Sequence, residues 1–199
     1  MIKDESIKNN PLVSLGLIKD KVGKILMQND DVVSLVMPEL DNEDFSFEDN
    51  WFGCSIGKNL NGDIQDTRII GHCSNTPYFD ETITDTRAMI MMETYLGLNP
   101  SVYDYSLVIN VVVHKDFVEL DPCDQKVWKA KGYAGNRVDM ICMSIYNALT
   151  SDDIVNNFGI GKMDLDYRSA QMQSFKPNTS FYGRTMKFRI DEVNSKVGV

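Results

Sequence analysis

Long apolar runs, clustered basic residues and histidine are all scarce in this chain of 199 residues. No run of about 18 apolar residues occurs, so we expect no transmembrane helix and no membrane partner. The net charge of -9 argues against a general nucleic-acid binder and against docking on anionic membranes, because both need clustered Lys and Arg. Residues 1–5 lack the basic-then-apolar order of a signal peptide, so we expect assembly in a cytoplasm.

Histidine and cysteine, which commonly carry catalysis or bind metals, are also few. They are His72, His114, Cys54, Cys73, Cys123 and Cys142. The CxxC and HxxxH spacings that are usual in zinc sites do not occur among them. We therefore predict no catalytic residue, no metal site and no cofactor. Two alternatives stay open: a zinc ion bound by His72 and Cys73 with Cys54 or Cys123, and a cysteine nucleophile that the fold brings beside a histidine.

One helical pattern dominates the second half of the chain. After Gly135 and Asn136, apolar residues recur at the spacing of a single helix face, at Val138, Ile141, Cys142, Ile145, Ala148 and Leu149. This stripe predicts an amphipathic helix from Arg137 to Leu149 that packs on a sheet. The rest of the chain is expected to be organised around this structural unit.

Alternating and β-branched stretches supply the predicted sheet. Strands are expected at residues 88–96, 106–114, 161–168 and 184–191, and further helices at residues 11–28 and 32–37. For residues 88–96, the methionines leave a helix open as the alternative. The last two strands should form an antiparallel pair with one face under the long helix. The sequence thus predicts a single α+β domain over residues 1–199. It would hold an antiparallel or mixed sheet with one or two helices on one face, plus long polar loop excursions.

Polar stretches separate these elements. Residues 39–86 form the longest excursion, in which short strands at 52–56 and 68–72 are expected to pair as a hairpin around a turn at 59–66. Residues 115–134 are expected to be a polar link. Loops of this length on a rigid scaffold usually carry recognition.

Two sets of residues are candidates for subunit or partner contacts. Phe175, in the loop at 169–180, and Phe181, directly after that loop, flank Pro177 and are predicted to supply apolar anchors. Asp164 and Asp166 share the polar face of the strand before that loop. A solvated surface, a subunit contact and a channel lining all remain open for this face.

The order of elements resembles that of tailed-bacteriophage head–tail joining proteins, in particular tail-terminator (tail-completion) proteins. The resemblance covers roughly residues 87–194 and rests on local motifs. These are Asn136-Arg137-Val138-Asp139 opening a helix, Phe158-Gly159-Ile160-Gly161-Lys162-Met163-Asp164-Leu165, and the strand Tyr182-Gly183-Arg184-Thr185-Met186-Lys187-Phe188. Residues 39–86 have no counterpart in that pattern.

The resemblance implies an α+β virion protein that forms a homo-oligomeric, hexameric ring at the head–tail junction. Such a ring caps the tail tube, joins it to the head-connector proteins, and lets the genome pass without specific binding. It implies no catalytic residues, so we expect a protein that is not an enzyme. The alternatives are another phage neck or tail adaptor, a small cytoplasmic enzyme with a Cys/His site, and a monomeric regulatory binding module.

Overall fold

The computed structural model describes residues 11–39, 42–54, 57–65, 69–76, 86–96, 105–151, 160, 163–168, 172–174 and 180–190. Its helices are α1 (Pro11–Met27), α2 (Asp30–Val36), α3 (Phe47–Phe52), α4 (Lys115–Val118), α5 (Pro122–Ala130) and α6 (Arg137–Thr150). Its strands are β1 (Gly57–Lys58), β2 (Ile64–Gln65), β3 (Cys73–Ser74), β4 (Ala88–Leu96), β5 (Tyr105–His114), β6 (Met163–Asp166), β7 (Met172–Ser174) and β8 (Phe181–Ile190).

The main sheet has the strand order β3-β4-β5-β8-β6, and β7 also pairs with β8. All its pairings are antiparallel except that of β3 with β4. The predicted α+β class with a mixed sheet is therefore confirmed. The predicted antiparallel pairing of the last two regular strands is confirmed by the register of β6 on β8.

Helices α1, α2 and α6 pack on one face of this sheet. The stripe of α6 is buried as its spacing predicts, and Ile141 and Ile145 are both fully buried in the main core. Asn136 and Asp139 close a capping box at the start of α6, which satisfies backbone N–H groups that the helix leaves unpaired. None of the helices in the described ranges combines the length and apolar character needed to span a bilayer.

The excursion at residues 39–86 holds more regular structure than the sequence predicted. A helix, α3, occupies residues that we expected to be irregular, and it ends where the first predicted strand was to begin. The hairpin is present, but β1 and β2 pair closer to the turn, and a single bridge joins Cys54 to Ile69. Strand β3 then returns to the edge of the main sheet.

The prediction of a polar link at residues 115–134 is also wrong, because this segment contains α4 and α5. Asp121 caps α5 and Pro122 occupies its first turn, where a missing N–H does no harm. In the loop predicted at 169–180, β7 forms a short strand, and β8 begins at Phe181 rather than at Arg184.

Candidate interaction surfaces

The face of the sheet away from the helices is the first candidate surface. Register places directly opposed residues of antiparallel strands on the same face. One end of this face is apolar and buried, with Met89, Met91, Val112 and Phe181 in a second small cluster. The other end carries polar and charged side chains, namely Glu93, Tyr95, Ser106, Asn110, Thr185, Lys187, Arg189, Asp164 and Asp166.

Charges on this polar end are matched across neighbouring strands. Asp164 lies directly opposite Arg189, and Asp166 lies directly opposite Lys187. All four side chains are exposed. Opposite charges facing each other across a ladder stabilise the pairing modestly, and these four side chains together carry no net charge.

Hydrogen bonds between side chains order the rest of the polar end. The Thr185 hydroxyl donates to the Asn110 side-chain oxygen over 2.7 Å. The Tyr95 hydroxyl donates to the Glu93 carboxylate, and this bond raises the pKa of Tyr95. The face is therefore an organised polar surface.

The structure separates the residues that we predicted as contacts. Asp164 and Asp166 are exposed on the polar end, as expected, and their role in a contact stays a prediction. Phe181 is only 2% exposed and packs edge-to-face on His114 with 5.0 Å between ring centroids, so it has no exposed ring to offer a partner. Phe175 and Pro177 lie outside the described residues.

A second candidate surface is the tip of the β1–β2 hairpin, which sequence analysis did not select. Leu60 is 71% exposed and Ile64 is 73% exposed. The side chain of Asn59 fixes the turn by accepting backbone N–H groups of Asn61 at 3.1 Å and Asp63 at 2.9 Å. Gly62 completes it with φ of 86°, a conformation that favours glycine. Two large aliphatic side chains are thus held at an ordered tip.

A third candidate surface is a groove of about 460 Å³ between α6 and strands β6 and β8. The residues that line it are Asp139, Cys142, Met143, Tyr146, Asn147, Leu165, Tyr167, Arg184 and Met186. Tyr167 is 74% exposed at its rim, and the hydroxyls of Tyr146 and Tyr167 lie 3.2 Å apart.

The charges in this groove are already paired. Arg184 Nη2 donates to Asp139 Oδ1 at 2.5 Å, and Asp139 Oδ2 accepts the backbone N–H of Asn136 at 3.3 Å. One carboxylate therefore caps α6 and holds the arginine of β8. Because Arg184 and Asp139 neutralise each other, an apolar group can enter without stranding an isolated charge.

The histidines take part in the scaffold. His72 Nδ1 lies 2.7 Å from the carbonyl oxygen of Ala88, and the side chain is 2% exposed. His114 caps α4 and is also buried. Among the residues that the structure describes, no group of three or more His, Cys, Asp or Glu side chains is placed to hold a metal ion.

The four thiols are expected to differ sharply in reactivity at pH 8. Burial raises the pKa of Cys73 and of Cys142 to about 12, so only about one molecule in ten thousand carries the reactive thiolate at either position. Cys123 is exposed and Cys54 is partly exposed. Iodoacetamide should therefore label Cys123 first, then Cys54, and should reach Cys73 and Cys142 only after unfolding.

Mass spectrometry of native and urea-unfolded samples checks this order of labelling. Rapid native labelling of Cys73, or stoichiometric zinc in the purified protein, would contradict it. Either result would favour the Cys/His enzyme or the zinc site that the sequence left open.

Comparison with known proteins gives one match. The family model YomW matches residues 29–190, which is most of the chain. No curated protein and no solved structure matches the chain. The matched range includes the hairpin, the groove and the polar sheet face.

Proposed function

The chain belongs to the YomW family, which is phage-derived, and on that premise we propose that it is a structural subunit of the phage particle. Specifically, we propose a tail-terminator or head–tail joining protein that forms a homo-oligomeric ring. The ring would cap the tail tube and join it to the head connector. A different neck or tail adaptor is the nearest alternative and would use the same surfaces.

The observation that supports this role is the division of the sheet into two unlike faces. Helices α1, α2 and α6 cover one face, whereas the far end of the other face is polar and exposes Asp164, Asp166, Lys187 and Arg189. A sheet with one solvated face suits a ring subunit, because that face can line a central channel. The helices packed on the other face stabilise the sheet.

Electrostatics support a passage through which DNA slides. Phosphate binding needs Lys and Arg that are available to neutralise it. On the polar end, Lys187 and Arg189 each lie opposite an aspartate, and the whole chain carries a net charge of -9. Such a surface would not hold DNA tightly.

Deletion of the gene from the phage that carries it tests the proposal. We expect DNA-filled heads and separate tails, since an unterminated tail cannot join the connector. Complementation with the intact chain should restore joined particles, and electron microscopy should place the protein at the head–tail junction. Joined, infectious particles from the deletion strain would contradict the proposal.

The same complementation tests the charged face. Asp164→Asn with Asp166→Asn leaves Lys187 and Arg189 without their opposite charges, so particles should assemble but release their DNA more slowly. Glu43→Gln with Asp44→Asn removes the same charge from exposed positions in the 39–86 excursion and serves as the matched control. Equal release rates in the two variants would mean that this face does not meet DNA.

A further inference from the structure

The hairpin tip and the groove lie at opposite edges of the sheet. The base of the hairpin, at the Cys54–Ile69 bridge, leads directly into β3, which is one end of the strand order. The groove lies at β6 and β8, which form the other end. Four strand spacings of about 4.8 Å separate the two edges by about 19 Å.

We propose that the hairpin of one subunit docks in the groove of the next copy, with Leu60 and Ile64 entering between α6 and β6. This inference rests on the proposed ring and names the contact that would build it. Contacts between two different patches of identical subunits are head-to-tail, and they generate a closed ring when the rotation between neighbours closes.

The chemistry of the tip fits an apolar groove. In the hairpin sequence Gly-Lys-Asn-Leu-Asn-Gly-Asp-Ile-Gln, Leu60 and Ile64 are the large apolar residues, and both are more exposed than any other aliphatic side chain described as exposed. Exposed apolar side chains grouped on one ordered element favour a contact. The groove offers Leu165, Met186 and the exposed Met143 as apolar neighbours.

The charges of the hairpin and of the groove, and the pre-formed turn of the hairpin, also favour the hairpin as the occupant of the groove. Lys58 and Asp63 give the hairpin no net charge, and Asp139 is paired with Arg184 in the groove. Docking therefore adds no net charge to the groove. The turn that Asn59 holds is ordered before docking, so little conformational entropy is lost when it binds.

Cross-linking between copies in phage-producing cells tests the contact. Asn61→Cys on the turn and Asn147→Cys in the groove are placed in one full-length chain that also carries Cys54→Ser and Cys123→Ser, because these two native thiols are accessible. A bis-maleimide should then give a ladder of covalent oligomers. The control chain pairs Asn61→Cys with Lys24→Cys, an exposed site on α1, and should give no ladder.

A second variant measures how much the contact contributes. Leu60→Ser with Ile64→Thr should lower incorporation into particles by at least about tenfold, because two buried aliphatic side chains contribute more than the free energy of one tenfold step in affinity. Both positions are exposed in the monomer, so its melting temperature should stay unchanged. Val127→Ser, which alters a 57% exposed residue on α5, should incorporate normally.

The outcomes separate this inference from the proposed function. Normal incorporation of the Leu60/Ile64 variant, or particles that hold the protein without the specific ladder, overturns the hairpin contact and leaves the ring standing. A specific ladder from cells whose particles lack the protein supports the contact and overturns the proposed function. If the ladder and the incorporation are both absent, the hairpin contact and the proposed function are both overturned.

Discussion

Ile145→Ala is expected to lower the free energy of unfolding by about 2–5 kcal/mol. Ile145 is fully buried in the main core, on the face of α6 that packs against β5 and β8. Truncation removes apolar contact and leaves a cavity that a helix fixed against a sheet refills only in part. For a chain of this size, the melting temperature should fall by roughly 4–20 °C.

Met143→Ala is the matched control for this substitution. It lies on the same helix and loses a side chain of similar size, but Met143 is 37% exposed. It should change the free energy of unfolding by less than about 1 kcal/mol. Urea denaturation followed by circular dichroism measures both variants. Equal losses in the two would show that the buried stripe of α6 does not carry the packing energy.

The core elements could be predicted because their signals are local. The stripe of α6 repeats with the helix period, and the β-branched run of β5 is a strong strand signal on its own. The predicted bounds of β4 match the observed ones, Ala88–Leu96. In these segments, tertiary packing and local pattern agree.

The missed helices had weaker signals that were present in the sequence. Asp121 followed by Pro122 is a typical helix start, and the Ser46 hydroxyl accepts the backbone N–H of Asp49 at 3.1 Å at the start of α3. Both helices are short and lie in polar surroundings, where few apolar residues reveal a period. Capping residues were the available signal.

Other features depend on contacts between distant parts of the chain. Arg137 begins α6 and reads as a surface residue, yet it is 8% exposed and donates to the carbonyl oxygens of Phe117 and Leu35. Its guanidinium also lies 3.7 Å from the centroid of the Phe117 ring. Leu35 is distant in sequence, so no local pattern could have shown that this arginine joins α2 and α4 to α6.

The candidate surfaces were hidden for the same reason. The matching of Asp164 with Arg189 follows from the register of β6 on β8, which alternation of polar and apolar residues does not fix uniquely. Sequence alternation identified the polar face of β6 but not the charges opposite it. The groove depends on how α6 sits over that sheet edge.

Gly71→Ala and Gly16→Ala are expected to change stability in opposite directions. A Cβ atom at Gly71 would lie 2.3 Å from the carbonyl carbon of Phe52 and 2.4 Å from the backbone nitrogen of Gly53. Because both neighbours are backbone atoms, the two chain segments at the base of the hairpin must move apart. We expect a loss of at least about 3 kcal/mol, at the upper end of overpacking effects.

The Gly16→Ala substitution adds the same methyl group, but at a position where no other atoms are close. It lies inside α1, and a Cβ atom there meets nothing within 4 Å. Alanine loses less backbone entropy than glycine on forming a helix, so Gly16→Ala should raise the free energy of unfolding by about 0.5–1 kcal/mol. Chemical denaturation of the two variants gives both signs directly.

The Gly71 substitution also connects stability with assembly. Separation of the segments at Gly71 breaks the reciprocal backbone hydrogen bonds of Cys54 and Ile69, at 3.1 and 2.7 Å, which hold the hairpin on the sheet edge. The hairpin tip would then lose its fixed position. The cross-link between the cysteines of Asn61→Cys and Asn147→Cys should therefore disappear, even in molecules that remain folded. Gly16→Ala should keep the full ladder. If Gly71→Ala were as stable as the unaltered chain and cross-linked normally, the close backbone approach at the hairpin base would not exist in solution.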